Sequence, residues 1–176
     1  QDISWFYQNG ACRLFPDYWR DFVAQVRPDN RDDLIKAYYA LLTGDDEVSR
    51  LAAAKAWSVW EGRTSTLHSK PDLIRRFGDS HVALSMARIE CHYFVHQAFI
   101  QPNQILDRVD CLQGIPGVIV HGRYDVVCPL DQAYALHQVW PESRLSIIPA
   151  AGHSASDPAV ADALIRATDG FAERLA

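Results

Sequence analysis

The chain has 176 residues, 48% of them hydrophobic and 22% charged, an ordinary globular balance with enough length for a real core. A net charge of -5 without any basic block excludes nucleic acid as an expected partner. No apolar run approaches the ~20 residues of a membrane helix, no signal peptide opens the sequence, and Cys12, Cys91, Cys111 and Cys128 form no C-x-x-C pair, so reduced thiols in a cytoplasmic protein are expected.

The first residue is Gln1 rather than methionine, and SWFYQNG reads as the middle of a longer protein, so a fragment or a processed product is expected. The first hundred residues are helical in pattern and rich in Trp and Tyr. Residues 31–42 (RDDLIKAYYALL) predict a helix with acids in its first turn and Gly44 just past its end. Residues 45–61 predict a second, stopped at Gly62, and residues 80–99 a third. After Pro102 the pattern changes. A short helix at 104–109 leads to a β-branched run at 118–120, read as a buried strand. A helix at 131–139, a strand at 144–149 and a last helix follow, the last opened by Asp157 as N-cap and Pro158 at its first position and running to about Leu175.

The C-terminal third is thus strand, helix, strand, helix, the alternation of a parallel α/β sheet. Two strands cannot bury a parallel sheet on both faces, so neighbouring strands are expected from an absent N-terminal part or from a partner.

Two motifs fall at the C-terminal ends of these strands: HGRYD, ending in Asp125, and AAGHS, containing His153. Chemistry in open α/β sheets gathers at strand C-termini. One strand–loop–helix–strand unit separates the two residues, so both side chains can reach one edge. A serine hydroxyl needs a base to attack at neutral pH, imidazole titrates in that range, and a carboxylate on its other nitrogen fixes the tautomer. Asp125 before His153, with a helix after, fits the last two members of the order serine, acid, histidine found in α/β-hydrolases. The serine itself is missing, because G-x-S-x-G does not occur. Ser154 in GHSAS is the nearest approach, but serine replaces the final glycine and no histidine follows to act as base. The chain alone is therefore expected to be catalytically inactive.

The helical region carries two misplaced acids. At about 100° per residue, Val82, Ala83, Met86, Ala87, Ile89, Tyr93 and Phe94 share one broad face of the third helix, and Glu90 lies in its middle. The second helix is apolar almost all round and ends in Glu61, a charge opposed by the helix dipole. The pair reads either as a receptor for a cation, such as a substrate amino group, or as partners of arginines such as Arg63 or Arg88. His92 and His96 stand at i, i+4, but Tyr93 occupies the position where a zinc-peptidase helix needs Glu, and Glu90 points about 200° away from His92. No metal site is expected.

With these residues in view, the sequence resembles proline iminopeptidases (prolyl aminopeptidases), α/β-hydrolases with a helical cap. The resemblance covers nearly the whole chain and is carried by WFYQNGACRLFPDYW, LAAAKAWSVWEG, ARIECHYF, VIVHGRYDVVCP and IIPAAGHSASDP. It implies a helical cap over residues 1–102 and the C-terminal part of the catalytic domain over 103–176, with the nucleophile and oxyanion hole in an absent N-terminal half. It implies Asp125 as acid, His153 as base, and Glu61 and Glu90 as holders of the substrate's free imino group. It implies a proline pocket lined by Phe94, with Phe6 or Tyr7, and bordered by Cys128. The implied activity is release of N-terminal proline from peptides by acyl transfer, without metal or organic cofactor. Two rival readings remain: another capped α/β-hydrolase (an epoxide hydrolase, dehalogenase or esterase), and a non-enzymatic helical binding module.

Overall fold

The structure, a computed structural model, describes residues 2–175, which separate into two units: residues 2–64 with 68–101, and residues 65–67 with 102–175.

The first unit is helical. Its main elements are α1 (Pro16–Val23), α2 (Leu34–Thr43), α3 (Glu47–Thr64), α4 (Pro71–Phe77) and α5 (Ser80–Val95). Their starts are written locally. Proline opens α1 and α4, where its missing N–H costs nothing. Asp33 accepts the Lys36 backbone N–H at 3.0 Å and caps α2, while Asp79 accepts from His81 and Val82 at 3.1 and 3.3 Å and caps α5. The core is aromatic: Phe6, Tyr7, Phe22, Tyr38, Trp57 and Trp60 are all buried. Phe22 stacks on Tyr38 at 4.5 Å, and the Tyr38 hydroxyl donates to the Phe22 carbonyl at 2.7 Å, so that buried phenol is satisfied. Ahead of α1, Trp5–Asn9 winds as a π-helical turn that turns Phe6 and Tyr7 inward together. Gln8 ties this turn to the start of α2, accepting the Leu34 N–H at 3.0 Å and donating to the Arg31 carbonyl at 2.9 Å.

Three sequence expectations need correction. The helix expected at 31–42 starts at Leu34, because the Asp33 cap fixes its first turn. The helix expected to stop at Gly62 continues to Thr64. A Cβ at Gly62 would lie 3.1 Å from the Phe77 Cβ, so that glycine serves the close approach of α4. The helix expected at 80–99 ends at Val95, and Gln97, Ala98 and Phe99 follow with φ near +55° (54°, 53° and 57°). Its inward face differs too: Ala83, Ala87 and Cys91 are buried, whereas Ile89 is 61% and Tyr93 50% exposed. Small residues face α3 because the two helices run close, with Ala53 and Ala54 buried opposite and Ser58 Oγ donating to the Ala83 carbonyl at 3.3 Å.

The second unit holds β1 (Gly117–Gly122), α6 (Leu130–Val139), β2 (Ser143–Ile148) and α7 (Pro158–Leu175). The strands pair in parallel, from Gly117 opposite Ser143 to Gly122 opposite Ile148. The order is βαβα, and both α6 and α7 pack on the two strands. Strand residues 118–120, expected to be buried, are half-buried. Asp157 accepts the Ala159 N–H at 3.3 Å and opens α7, with Pro158 in its first position. Among the described residues no helix is long and apolar enough to cross a membrane.

Candidate active site

The C-terminal ends of β1 and β2 carry the two loops expected to hold the acid and the base. The loops are in backbone contact. Arg123 N–H donates to the Ile148 carbonyl at 2.9 Å, and Tyr124 N–H to the Ala151 carbonyl at 3.0 Å. Gly122 makes this approach possible, since a Cβ there would lie 2.1 Å from the Gly152 carbonyl oxygen. The far side of the His153 loop is held by the segment 65–67: Ser154 N–H donates to the Ser65 carbonyl at 2.8 Å, and Gly152 leaves room for the Leu67 backbone.

This scaffold brings Asp125 and His153 together. His153 Nδ1 lies 2.9 Å from Asp125 Oδ2. Asp125 Oδ1 accepts the backbone N–H groups of Val127 at 3.0 Å and Cys128 at 2.9 Å. The acid is thus locked in place with its side chain 5% exposed, while the imidazole is 41% exposed. Nδ1–H donates to the carboxylate, so Nε2 is the basic nitrogen of the neutral ring. The arrangement can take a proton from a hydroxyl nucleophile and return it to a leaving amine. A second imidazole, His121, adjoins the acid with Nε2 3.7 Å from Oδ2 and Nδ1 3.0 Å from the Gly122 carbonyl. Ser154 Oγ is engaged with Ser156 Oγ at 2.8 Å. Cys128, expected beside the proline pocket, is half-buried in the acid loop.

In the helical unit, Glu61 is buried and Glu90 half-buried. The Tyr7 hydroxyl donates to Glu61 Oε1, and the indole N–H of Trp57 donates to Glu90 Oε2 at 2.8 Å. The two rings stack on each other at 4.4 Å with 20° between their planes. Phe94 joins the stack, 5.4 Å from Tyr7 and 6.2 Å from Trp57, and Phe6 meets Tyr7 edge-on at 4.8 Å. Burial, followed by the charges of Glu61 and Glu90, raises the Tyr7 phenol well above its ordinary range, so it stays a hydrogen-bond donor. Arg63, one of the arginines weighed as a partner for these acids, reaches Asp21 at 2.9 Å and lies over the Tyr18 ring at 4.8 Å. That contact lowers the Asp21 carboxyl below its usual range.

Trp57 was not singled out from sequence. A carboxylate on an apolar face calls for a donor and a buried indole N–H usually finds an acceptor, but the Trp60 N–H on the same helix is buried without one among the described residues, so the pattern does not distinguish Trp57. His92 and His96 do not build a metal site with acids. His96 stacks flat on Phe99 at 5.1 Å, its Nδ1 donating to the His92 carbonyl at 2.8 Å. Among the described residues no group of three or more His, Cys, Asp or Glu is placed to hold a metal ion. A cleft of about 460 Å³ between the start of the chain and α2 includes Ile3, Lys36 and Phe94 but neither glutamate.

No family model matches the chain. A proline iminopeptidase of Xanthomonas citri is 55% identical over 172 residues, 97% of this chain and 55% of that protein. One of Xylella fastidiosa (strain Temecula1) is 53% identical over 171 residues, again 97% of this chain and 55% of that protein. One of Arabidopsis thaliana is 39% identical over 171 residues, 96% of this chain and 45% of that protein. The chain spans about half the length of these curated relatives (45–55%). With its parallel strands, flanking helices and strand-end acid and base, the chain is a homologue of the proline iminopeptidases, of the α/β-hydrolase type, along nearly all of its own length.

Proposed function

We propose that this chain supplies the acid, the base and the substrate-recognition carboxylates of a serine exopeptidase that releases N-terminal proline from peptides. The observation that carries the reading is the His153 Nδ1–Asp125 Oδ2 contact at 2.9 Å, on loops that follow adjacent parallel strands. His153 takes the proton of the nucleophilic serine as it attacks the prolyl carbonyl. It then gives that proton to the leaving amine, and it repeats the cycle with water to release proline. Asp125 holds the tautomer and stabilises the imidazolium. Serine and oxyanion hole belong to a part of the protein outside these 176 residues. The helical unit acts as a cap. Its Glu61 and Glu90 accept the protonated imino group, which makes the enzyme an exopeptidase, and Phe94, with Phe6, receives the pyrrolidine ring. A cytoplasmic location belongs to the same reading.

The test uses the complete enzyme with two substrates, a prolyl anilide carrying a free imino group and a neutral acyl ester. His153→Ala should abolish turnover of both. Glu61→Gln and Glu90→Gln should raise KM for the anilide about 30-fold or more, the worth of a hydrogen bond to a charged group, and spare the ester. Equal losses on both substrates would remove the two glutamates from recognition, and ester hydrolysis without any prolyl anilide turnover would favour the general esterase.

A further inference from the structure

The two recognition carboxylates sit on different helices, Glu61 on α3 and Glu90 on α5. A glutamate side chain has several rotatable bonds, and ordering it costs free energy that a binding site must recover. A pair of acceptors is selective only if both are held at a fixed spacing before the ligand arrives. The usual device, a salt bridge to arginine, would defeat the purpose by cancelling the charge the ligand needs.

We infer that Trp57 and the hydroxyl of Tyr7 are positioning residues, a stacked aromatic pair that orients Glu61 and Glu90 toward the secondary ammonium of an N-terminal imino acid. The inference rests on the reading of those glutamates as the imino-group acceptors. Each donor reaches a different carboxylate, Tyr7 Oη to Glu61 Oε1 and Trp57 Nε1 to Glu90 Oε2 at 2.8 Å. The donors are rigid with respect to each other, because their rings stack at 4.4 Å and are nearly fully buried. Both carboxylates are therefore referenced to one object, though their helices differ. The phenol, pushed up by burial and by both glutamates, does not become an acceptor at working pH. The ligand follows from the same arithmetic: a protonated pyrrolidine nitrogen has two N–H bonds, one for each carboxylate.

The test is a pair of double-mutant cycles in the complete enzyme, using Tyr7→Phe, which removes only the hydroxyl, and Trp57→Phe, which removes the indole N–H and keeps a smaller aromatic ring. Each single variant should raise KM for the prolyl anilide about tenfold and leave hydrolysis of the neutral ester within about twofold. Trp57→Phe should add little in the Glu90→Gln background and keep its cost in the Glu61→Gln background, and Tyr7→Phe should show the mirror pattern. The ester rate reports folding in every variant. Unchanged KM in both aromatic variants, while the glutamate variants raise it, overturns the inference and leaves the functional reading standing. Costs that add in every background, or that fall equally on the ester, also overturn it, since they are the mark of general packing. If neither glutamate variant changes KM, the reading itself fails and takes the inference with it.

Discussion

Gly122→Ala tests whether the acid–base geometry is imposed by the backbone. The added Cβ would stand 2.1 Å from the Gly152 carbonyl oxygen, 2.6 Å from that of Ala151 and 2.8 Å from the Ala151 carbonyl carbon. All three are backbone atoms, so no side chain can rotate away. Restoring ordinary contact of 3.4 Å requires the loop carrying His153 to retreat by about 1.3 Å. That movement strains the Tyr124 N–H to Ala151 hydrogen bond of 3.0 Å and carries His153 Nδ1 away from Asp125, now at 2.9 Å. The cost in stability is about 2–4 kcal/mol, from overpacking and one or two weakened hydrogen bonds. The cost in turnover is about 100-fold, the usual penalty for a catalytic group displaced by about 1 Å. Denaturant unfolding gives the first number, and kcat of the complete enzyme well below its Tm gives the second. A variant with undiminished kcat and stability within about 0.5 kcal/mol of the parent would show that the loop positions do not depend on this contact.

Asp125→Asn keeps an oxygen for the Val127 and Cys128 N–H groups but presents an amide N–H to His153, so the wrong tautomer is favoured. It should lower kcat about 10⁴-fold with little change in Tm, and a loss under about tenfold would refute the role. The purified 176-residue chain should show no turnover of prolyl anilides, and measurable activity would mean that the nucleophile lies within it. Burial raises Tyr7 and Tyr38 well above their ordinary value of 10.0 and Cys91 to about 12. A raised pKa in the folded state means that the folded chain holds protons the unfolded chain has lost. This stability is complete below about pH 9 and is lost as pH rises toward the folded values. Tm should therefore fall steadily above pH 9, and two tyrosines should ionise in the 295 nm absorbance only on unfolding. Burial keeps the Cys91 thiol protonated and unreactive at pH 8. Iodoacetamide should modify exposed Cys111 first and Cys91 only in denaturant, as mass mapping would show.

The strand-end placement of Asp125 and His153 was legible because short-range signals specify it. The β-branched run from Val118 to Val120 gives β1, the Asp157–Pro158 start gives α7, and the two motifs fall where a βαβ unit turns back. The misplaced glutamates were legible for the opposite reason, as local violations of burial rules. Helix length and facing were less so. Gly62 looks like a stop signal in one dimension and proves to be a packing notch for Phe77 in three. The wheel of α5 put Ile89 and Tyr93 inward beside Ala83 and Ala87, whereas only the alanines, with Cys91, are buried there because α3 lies close. Periodicity reports an apolar stripe but not the distance of the neighbour, and that distance decides whether large or small residues fill it. The pairing of Trp57 with Glu90, 33 residues away, is a tertiary contact that no local pattern encodes.

The proposed function asks two opposite behaviours of three carboxylates, and their donors differ. In the proposed reaction Asp125 holds one partner through every turnover. It is bound by backbone N–H groups that cannot move and by the imidazole whose growing charge it balances. In the proposed recognition Glu61 and Glu90 instead accept a cation that arrives and leaves. A phenol and an indole fix direction without offering charge. The same residue class is assigned to recognition or to catalysis by what donates to it.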